Sequence, residues 1–125
     1  MRLLLDTHIF YWSFYEHLKL SRKALRLFEQ AEEVFVSSAS IWEISIKVPL
    51  GKMKADLQEL TDSIELSGFQ ELPVWSRHAL VAAGLPLLHT DPFDRLLIAQ
   101  AISEPLHLVT ADAQLKQYSE LVIQV

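Results

Sequence analysis

The chain has 125 residues, half of them hydrophobic, with eleven Lys and Arg against sixteen Asp and Glu and a formal net charge of −5. That length and apolar content describe one compact domain over residues 1–125 and exclude a disordered chain. Cysteine is absent, which excludes a disulfide scaffold, a thiolate zinc site and a thiol nucleophile, and agrees with a reducing, cytoplasmic compartment.

Leu3-Leu4-Leu5 is a short apolar run ending at Asp6, the pattern of a buried strand. It is too short for a membrane span, and Asp6 and His8 interrupt it before a signal-peptide core forms. Residues 9–14 form a short helix capped by Asp6 or Thr7. Ser21 caps a second helix that places Ala24, Leu25, Leu27, Phe28 and Ala31 on one side. Val34-Phe35-Val36 is the next strand, and Ser37 or Ser38 opens a helix to about Val48, stopped by Pro49 and Gly51. Residues 55–66 are amphipathic, with Leu57, Leu60, Ile64 and Leu66 inward and Gly68 as terminator. Residues 69–74 hold a strand whose Pro73 points to an edge or an end. A short helix over 76–83 closes at Gly84. Asp91-Pro92 opens a helix through Ser103, and Pro105 stops it. A strand over 107–110, a short helix over 111–118 and a strand over 121–125 complete the chain.

Short strands alternating with helices imply βαβ units. The expected fold is therefore a three-layer α/β/α sandwich around a mainly parallel sheet of about five strands. In such sheets ligands lie beyond the carboxyl ends of the strands. Five acids fall near that edge: Asp6, Glu43, Asp91, Asp94 and Asp112.

Each acid has an ordinary explanation. Asp6 and Asp112 can serve helix starts, and Asp91-Pro92-Phe93-Asp94 is good N-terminal helix chemistry. Glu43 lies among Ile41, Trp42, Ile44 and Ile46, so it reads as buried, with Lys47 at i+4 as its simplest partner. Taken jointly, converging carboxylates without cysteine make a hard oxygen site for Mg²⁺ or Mn²⁺. Such a site can activate water for in-line displacement at a phosphodiester.

Other chemistries score poorly. The chain lacks a phosphate-binding G-x-x-x-x-G-K-[ST] loop, a G-x-G-x-x-G turn and a G-x-S-x-G elbow. His8 and His89 fall near the acids but read more simply as core or surface residues, and Trp12, Trp42 and Trp75 read as core. Lys19, Arg22, Lys23 and Arg26 read as a solvated helix face, with phosphate contact as the alternative. The acidic balance excludes an autonomous basic DNA-binding module but not a metal-using nucleic-acid enzyme.

Leu3-Leu4-Leu5-Asp6-Thr7-His8, Ser38-Ala39-Ser40-Ile41-Trp42-Glu43-Ile44, Leu50-Gly51-Lys52, the stretch Asp91 to Ala101 and Leu108-Val109-Thr110-Ala111-Asp112 together resemble the PIN-domain proteins, especially the VapC-type toxins of type II toxin–antitoxin systems. The resemblance runs from Arg2 nearly to the C-terminus. It implies a parallel-sheet nuclease that uses Mg²⁺ or Mn²⁺ to cleave single-stranded or structured RNA. The family's acidic quartet maps onto Asp6, Glu43, Asp94 and Asp112, as catalytic residues and metal ligands. Thr110 matches a hydroxyl position beside the site, Asp91 is an additional acid, and Lys47 and Arg95 are weaker candidates for phosphate contact. The family also implies a cognate antitoxin, which could neutralise the acids with Arg or Lys, and a homodimer. Val48-Pro49 departs slightly from the family pattern.

Two rival readings remain open at this stage. One is a module that keeps the fold without activity. The other is a phosphate-transfer protein using Asp6 as acceptor, though Thr7-His8-Ile9 lacks the second Asp at +2 that one phosphatase class carries.

Overall fold

The computed structural model describes all of residues 1–125. Its strands are β1 (Arg2–Leu5), β2 (Glu33–Ser37), β3 (Gln70–Leu72), β4 (His107–Thr110) and β5 (Val122–Gln124). They form one sheet in the order β3-β2-β1-β4-β5, and every neighbouring pair is parallel. The helices are α1 (Thr7–Tyr15), α2 (Arg22–Gln30), α3 (Ser38–Lys47), α4 (Leu57–Leu66), α5 (Ser76–Gly84) and α6 (Pro92–Ser103).

Successive side chains of a strand point to opposite faces, so a parallel sheet covered on both sides needs apolar residues without alternation. Leu3, Leu5, Val34, Val36 and Val109 join Ile9, Phe10, Ala24, Ile44, Leu60 and Ile64 on one face, beneath α1 to α4. Leu4, Phe35 and Leu108 join Leu97, Ile98, Ala101 and Leu115 on the other, beneath α6. The helix α5 reaches this layer by packing on α6. Leu3, Leu4 and Leu5 are fully buried, and each contributes about 2 kcal/mol of hydrophobic stabilisation.

Polar residues fix most of the helix starts. Ser21 Oγ accepts from Ala24 N–H, Ser37 Oγ from Ala39 N–H, and Asp56 Oδ1 from Glu59 N–H. Gly68, at φ 78°, ends α4 in the left-handed conformation that glycine adopts without penalty. The strand before Pro73 is β3, at the sheet edge as its proline requires.

Four expectations are corrected. Trp42 and Trp75 are 65% and 54% exposed rather than core. Leu66 is 86% exposed because it sits on the outer side of the last turn of α4. The stretch expected as a helix over 111–118 is a short 3₁₀ turn at Ala113–Gln117. Asp6 makes no side-chain cap to α1.

The chain moves outward from β1 through β2 to β3, then returns to place β4 on the opposite side of β1. The crevice between β1 and β4 is thus the topological switch point, the preferred ligand position in such sheets. Asp6 immediately follows β1, and Thr110 ends β4.

Candidate active site

The acids gather around that crevice. Asp6 is 7% exposed. Its amide continues the ladder by donating to Val109 O at 2.9 Å, which pins the residue against the end of β4. Thr110 Oγ1 donates to Asp6 Oδ2 at 2.5 Å and accepts from the Asp112 amide at 3.1 Å. One hydroxyl thereby fixes two of the four acids relative to each other. Burial pushes the Asp6 carboxyl up and Glu43 adds to this, while the Thr110 bond and His8 oppose it.

Asp94 arrives from the other side, in the first turn of α6. Asp91 Oδ1 accepts from the amides of Phe93 and Asp94 at 2.8 and 3.1 Å. That side chain therefore serves as the cap of α6, with Pro92 at the first helical position. The cap orients Asp94 toward the crevice, where its Oδ2 meets His89 Nε2 at 2.9 Å. Ligand atoms of His89, Asp94 and Asp112 lie within 4.8 Å of one another. The Asp94 carboxyl is pushed up to about 6, first by burial and then by Asp6, with Asp91 and Glu43 adding and the His89 bond opposing.

Glu43 reaches the same place from α3. It is 4% exposed. Its Oε2 accepts from Lys47 Nζ at 2.8 Å, the expected i+4 pair, but its buried Oε1 has no hydrogen-bond partner. Gln100 Oε1 and Ser103 Oγ are also buried without partners, but Glu43 Oε1 is the one such atom that belongs to a carboxylate, where a cation would supply the missing partner. Burial alone would lower the Lys47 ammonium. The hydrogen bond and charge of Glu43, with the charges of Asp91 and Asp94, raise it instead. Lys47 thus serves the whole acid cluster.

Asp112 spends Oδ1 on the Gln114 amide at 2.9 Å, capping the turn after β4. Arg95 is engaged elsewhere. Its guanidinium donates to the carbonyls of Pro86, Ala82 and Leu85 at 2.9, 3.0 and 3.2 Å and to Tyr118 Oη at 3.3 Å. It latches the α5–α6 connection instead of facing the crevice. The structure therefore brings together Asp6, Glu43, Asp94, Asp112, Thr110 and Lys47, uses Asp91 as a cap, and withdraws Arg95.

Sequence reasoning set His89 aside. Its position depends on how the connection before Asp91 folds back, which no periodicity reports. The exposed Trp42, meeting Phe93 edge-on at 5.7 Å beside Glu43 and Asp94, was also missed.

The residues present fit a small divalent cation. The principal donors are hard carboxylate oxygens, burial and neighbouring acids hold the Asp6 and Asp94 carboxyls up, and one buried carboxylate oxygen is unpartnered.

A parallel α/β/α sandwich with acids gathered at its switch point is the architecture of a PIN domain. The chain belongs to that family: the PIN domain family model matches residues 3–121. Among curated proteins it is similar to ribonuclease VapC22 of Mycobacterium tuberculosis, with 31% identity covering 92% of this chain and 90% of the relative. Solved structures share the fold at lower identity. VapBC2 from Rickettsia felis, bound to a DNA fragment from its promoter, matches at a TM-score of 0.74 and 23% identity, covering 100% of this chain and 98% of the other. FitAcB from Neisseria gonorrhoeae matches at a TM-score of 0.70 and 17% identity, covering 98% and 96%. A toxin–antitoxin complex from Klebsiella pneumoniae matches at 0.69 and 19%, with the same coverage.

Proposed function

We propose that residues 1–125 form one nuclease domain, a divalent-metal-dependent endoribonuclease acting as the toxin of a type II toxin–antitoxin pair. The PIN nucleases are metal-dependent hydrolases, and the similarity to ribonuclease VapC22 supports RNA as substrate. The observation that carries the reading is the gathering of two buried acids, Asp6 and Glu43, and two half-buried ones, Asp94 and Asp112, at the β1/β4 crevice, with Glu43 Oε1 unpartnered and Asp94 raised to about 6.

Asp6, Glu43, Asp94 and Asp112 would hold Mg²⁺ or Mn²⁺. The bound ion would supply an activated water and charge stabilisation at the phosphodiester. Thr110 holds Asp6 in one rotamer through its hydroxyl. Asp91 keeps Asp94 aimed inward by capping α6. Lys47 ties one oxygen of Glu43 and leaves the other free to ligate. No helix is long and apolar enough to cross a membrane, and a cytoplasmic setting is part of the reading. So are two protein partners, a cognate antitoxin that brings Arg or Lys to the acids and a second copy of the chain.

The test compares wild type with Asp6→Asn on mixed single-stranded RNA in Mg²⁺, Mn²⁺ and chelator. Cleavage by wild type with metal alone is the expected result. Equal cleavage by Asp6→Asn would remove the acids from the chemistry.

A further inference from the structure

A second cleft, of about 550 Å³, opens where α1 faces the chain that follows α3 and is lined by His8, Trp12, Lys19, Lys52 and Lys54, with Tyr11 and Glu16 among its other walls. We infer that it is a subsite for the single-stranded RNA running away from the scissile phosphate. The lysines would hold backbone phosphates, and His8 and Trp12 would offer aromatic surface to a base. The inference rests on the ribonuclease reading above and names where its substrate lies.

Charge supports the assignment. The molecule carries a net −5, and the groove along α4 is lined by Asp56, Glu59 and Asp62. An RNA strand leaving the acid cluster meets repulsion over such surfaces. The lysine cleft holds three cations against one acid, Glu16. Of the three, Lys19 pairs with Glu16 at 3.1 Å and stands 5.9 Å from the Trp12 ring centre. His8 lies against the same ring at 5.9 Å. Cations beside aromatic faces are the general means of holding single-stranded nucleic acid without sequence preference.

The cleft is mounted on the site. His8 is two residues past Asp6, in the first turn of α1. On the opposite wall, Lys52 N–H donates to Lys47 O at 3.1 Å, and Lys47 in turn pairs with Glu43. The loop bearing Lys52 and Lys54 is held rather than loose. Gly51 turns it at φ 72°, Met53 is buried in the core as an anchor, and Tyr11 Oη donates to Lys54 O at 2.7 Å. Two lysines are thus presented at a fixed position against α1, so little ordering is left to oppose binding.

The experiment measures binding of a fluorescent mixed-sequence RNA 12-mer in Mg²⁺, using Asp6→Asn so that the strand stays intact. Lys19→Gln, Lys52→Gln and Lys54→Gln are combined on that background, and Lys23→Gln on α2 is the control. All four lysines are exposed, and an unchanged circular dichroism spectrum verifies the fold. The triple variant should bind about tenfold or more weakly, and its plot of log affinity against log salt should be shallower by about 2, at about 0.7 per lost phosphate contact. The control should match its parent. Unchanged affinity and slope in the triple variant would overturn the inference and leave the lysines to a protein partner. An equal loss in Lys23→Gln would also overturn it, because the effect would then belong to overall charge. The two readings fail separately: a wild type that binds RNA through the lysines but never cuts refutes the nuclease, and one that cuts while the triple variant binds normally refutes the subsite.

Discussion

Asp94→Asn should stabilise the metal-free protein while abolishing its cleavage of RNA. The Asp94 carboxyl is raised from its ordinary value of 3.8 to about 6 by burial and by Asp6. Ionising it in the folded state therefore costs about 3 kcal/mol relative to the unfolded chain. The side chain is 18% exposed, and solvent screening reduces the penalty to about 2 kcal/mol. An asparagine keeps an oxygen for His89 and carries no charge toward Asp6 or Glu43. The sign follows from proton binding. Between pH 4 and 6 the folded protein holds a proton that the unfolded chain has released, so stability falls as pH rises through this window. Above about 6 the penalty is complete. Thermal unfolding in chelator at pH 7 should show the variant melting roughly 5–10 °C above wild type, with the gap closing as pH falls toward 4. Added Mn²⁺ should raise the melting temperature of wild type by mass action and that of the variant much less. A variant no more stable than wild type at pH 7, or a gap independent of pH, would refute the claim that burial and the neighbouring acids make an ionised Asp94 costly in the fold.

Two further substitutions probe the scaffold and the site's alignment. Leu108→Ala empties a fully buried position at the centre of β4 and should cost about 3 kcal/mol in urea unfolding; a loss under about 1 kcal/mol would mean that the face beneath α6 is not the packed layer described. Thr110→Val removes the hydroxyl that joins Asp6 to the Asp112 amide, and should lower kcat for RNA about tenfold and stability by about 1–3 kcal/mol, measured by cleavage rate and urea midpoint on the same sample.

The fold was legible wherever a local rule and a tertiary need coincided. Leu3-Leu4-Leu5 and Val34-Phe35-Val36 read as doubly covered strands because every side chain in them is apolar, and both faces are covered. Ser21 and Asp91 read as caps because their side chains can satisfy free amides, and they do. Asp6 showed the limit of that rule. The same residue type before a helix suited a cap, but the β4 neighbour supplied Thr110, and the carboxylate turned to it instead. Nothing within ten residues of Asp6 could reveal this, because the partner lies 104 positions away. Arg95 shows the converse. The family resemblance made it a weaker candidate for phosphate contact, but the last turn of α5 and the chain after it present carbonyls nearby and hold it. Trp42 read as core from its apolar neighbours, although periodicity tells which residues share a helix side and not whether that side has a partner. The acids were legible as a set for another reason. In a parallel sheet the strand ends and the starts of the returning helices fall on one edge, so chemistry divided among β1, α3, α6 and β4 still leaves a trace in the order of the chain. Loop-borne chemistry leaves a weaker trace: His89 falls near the acids in chain order and Lys52 lies in Leu50-Gly51-Lys52, but both lie outside the helices and strands, so no periodicity tells which way either side chain faces.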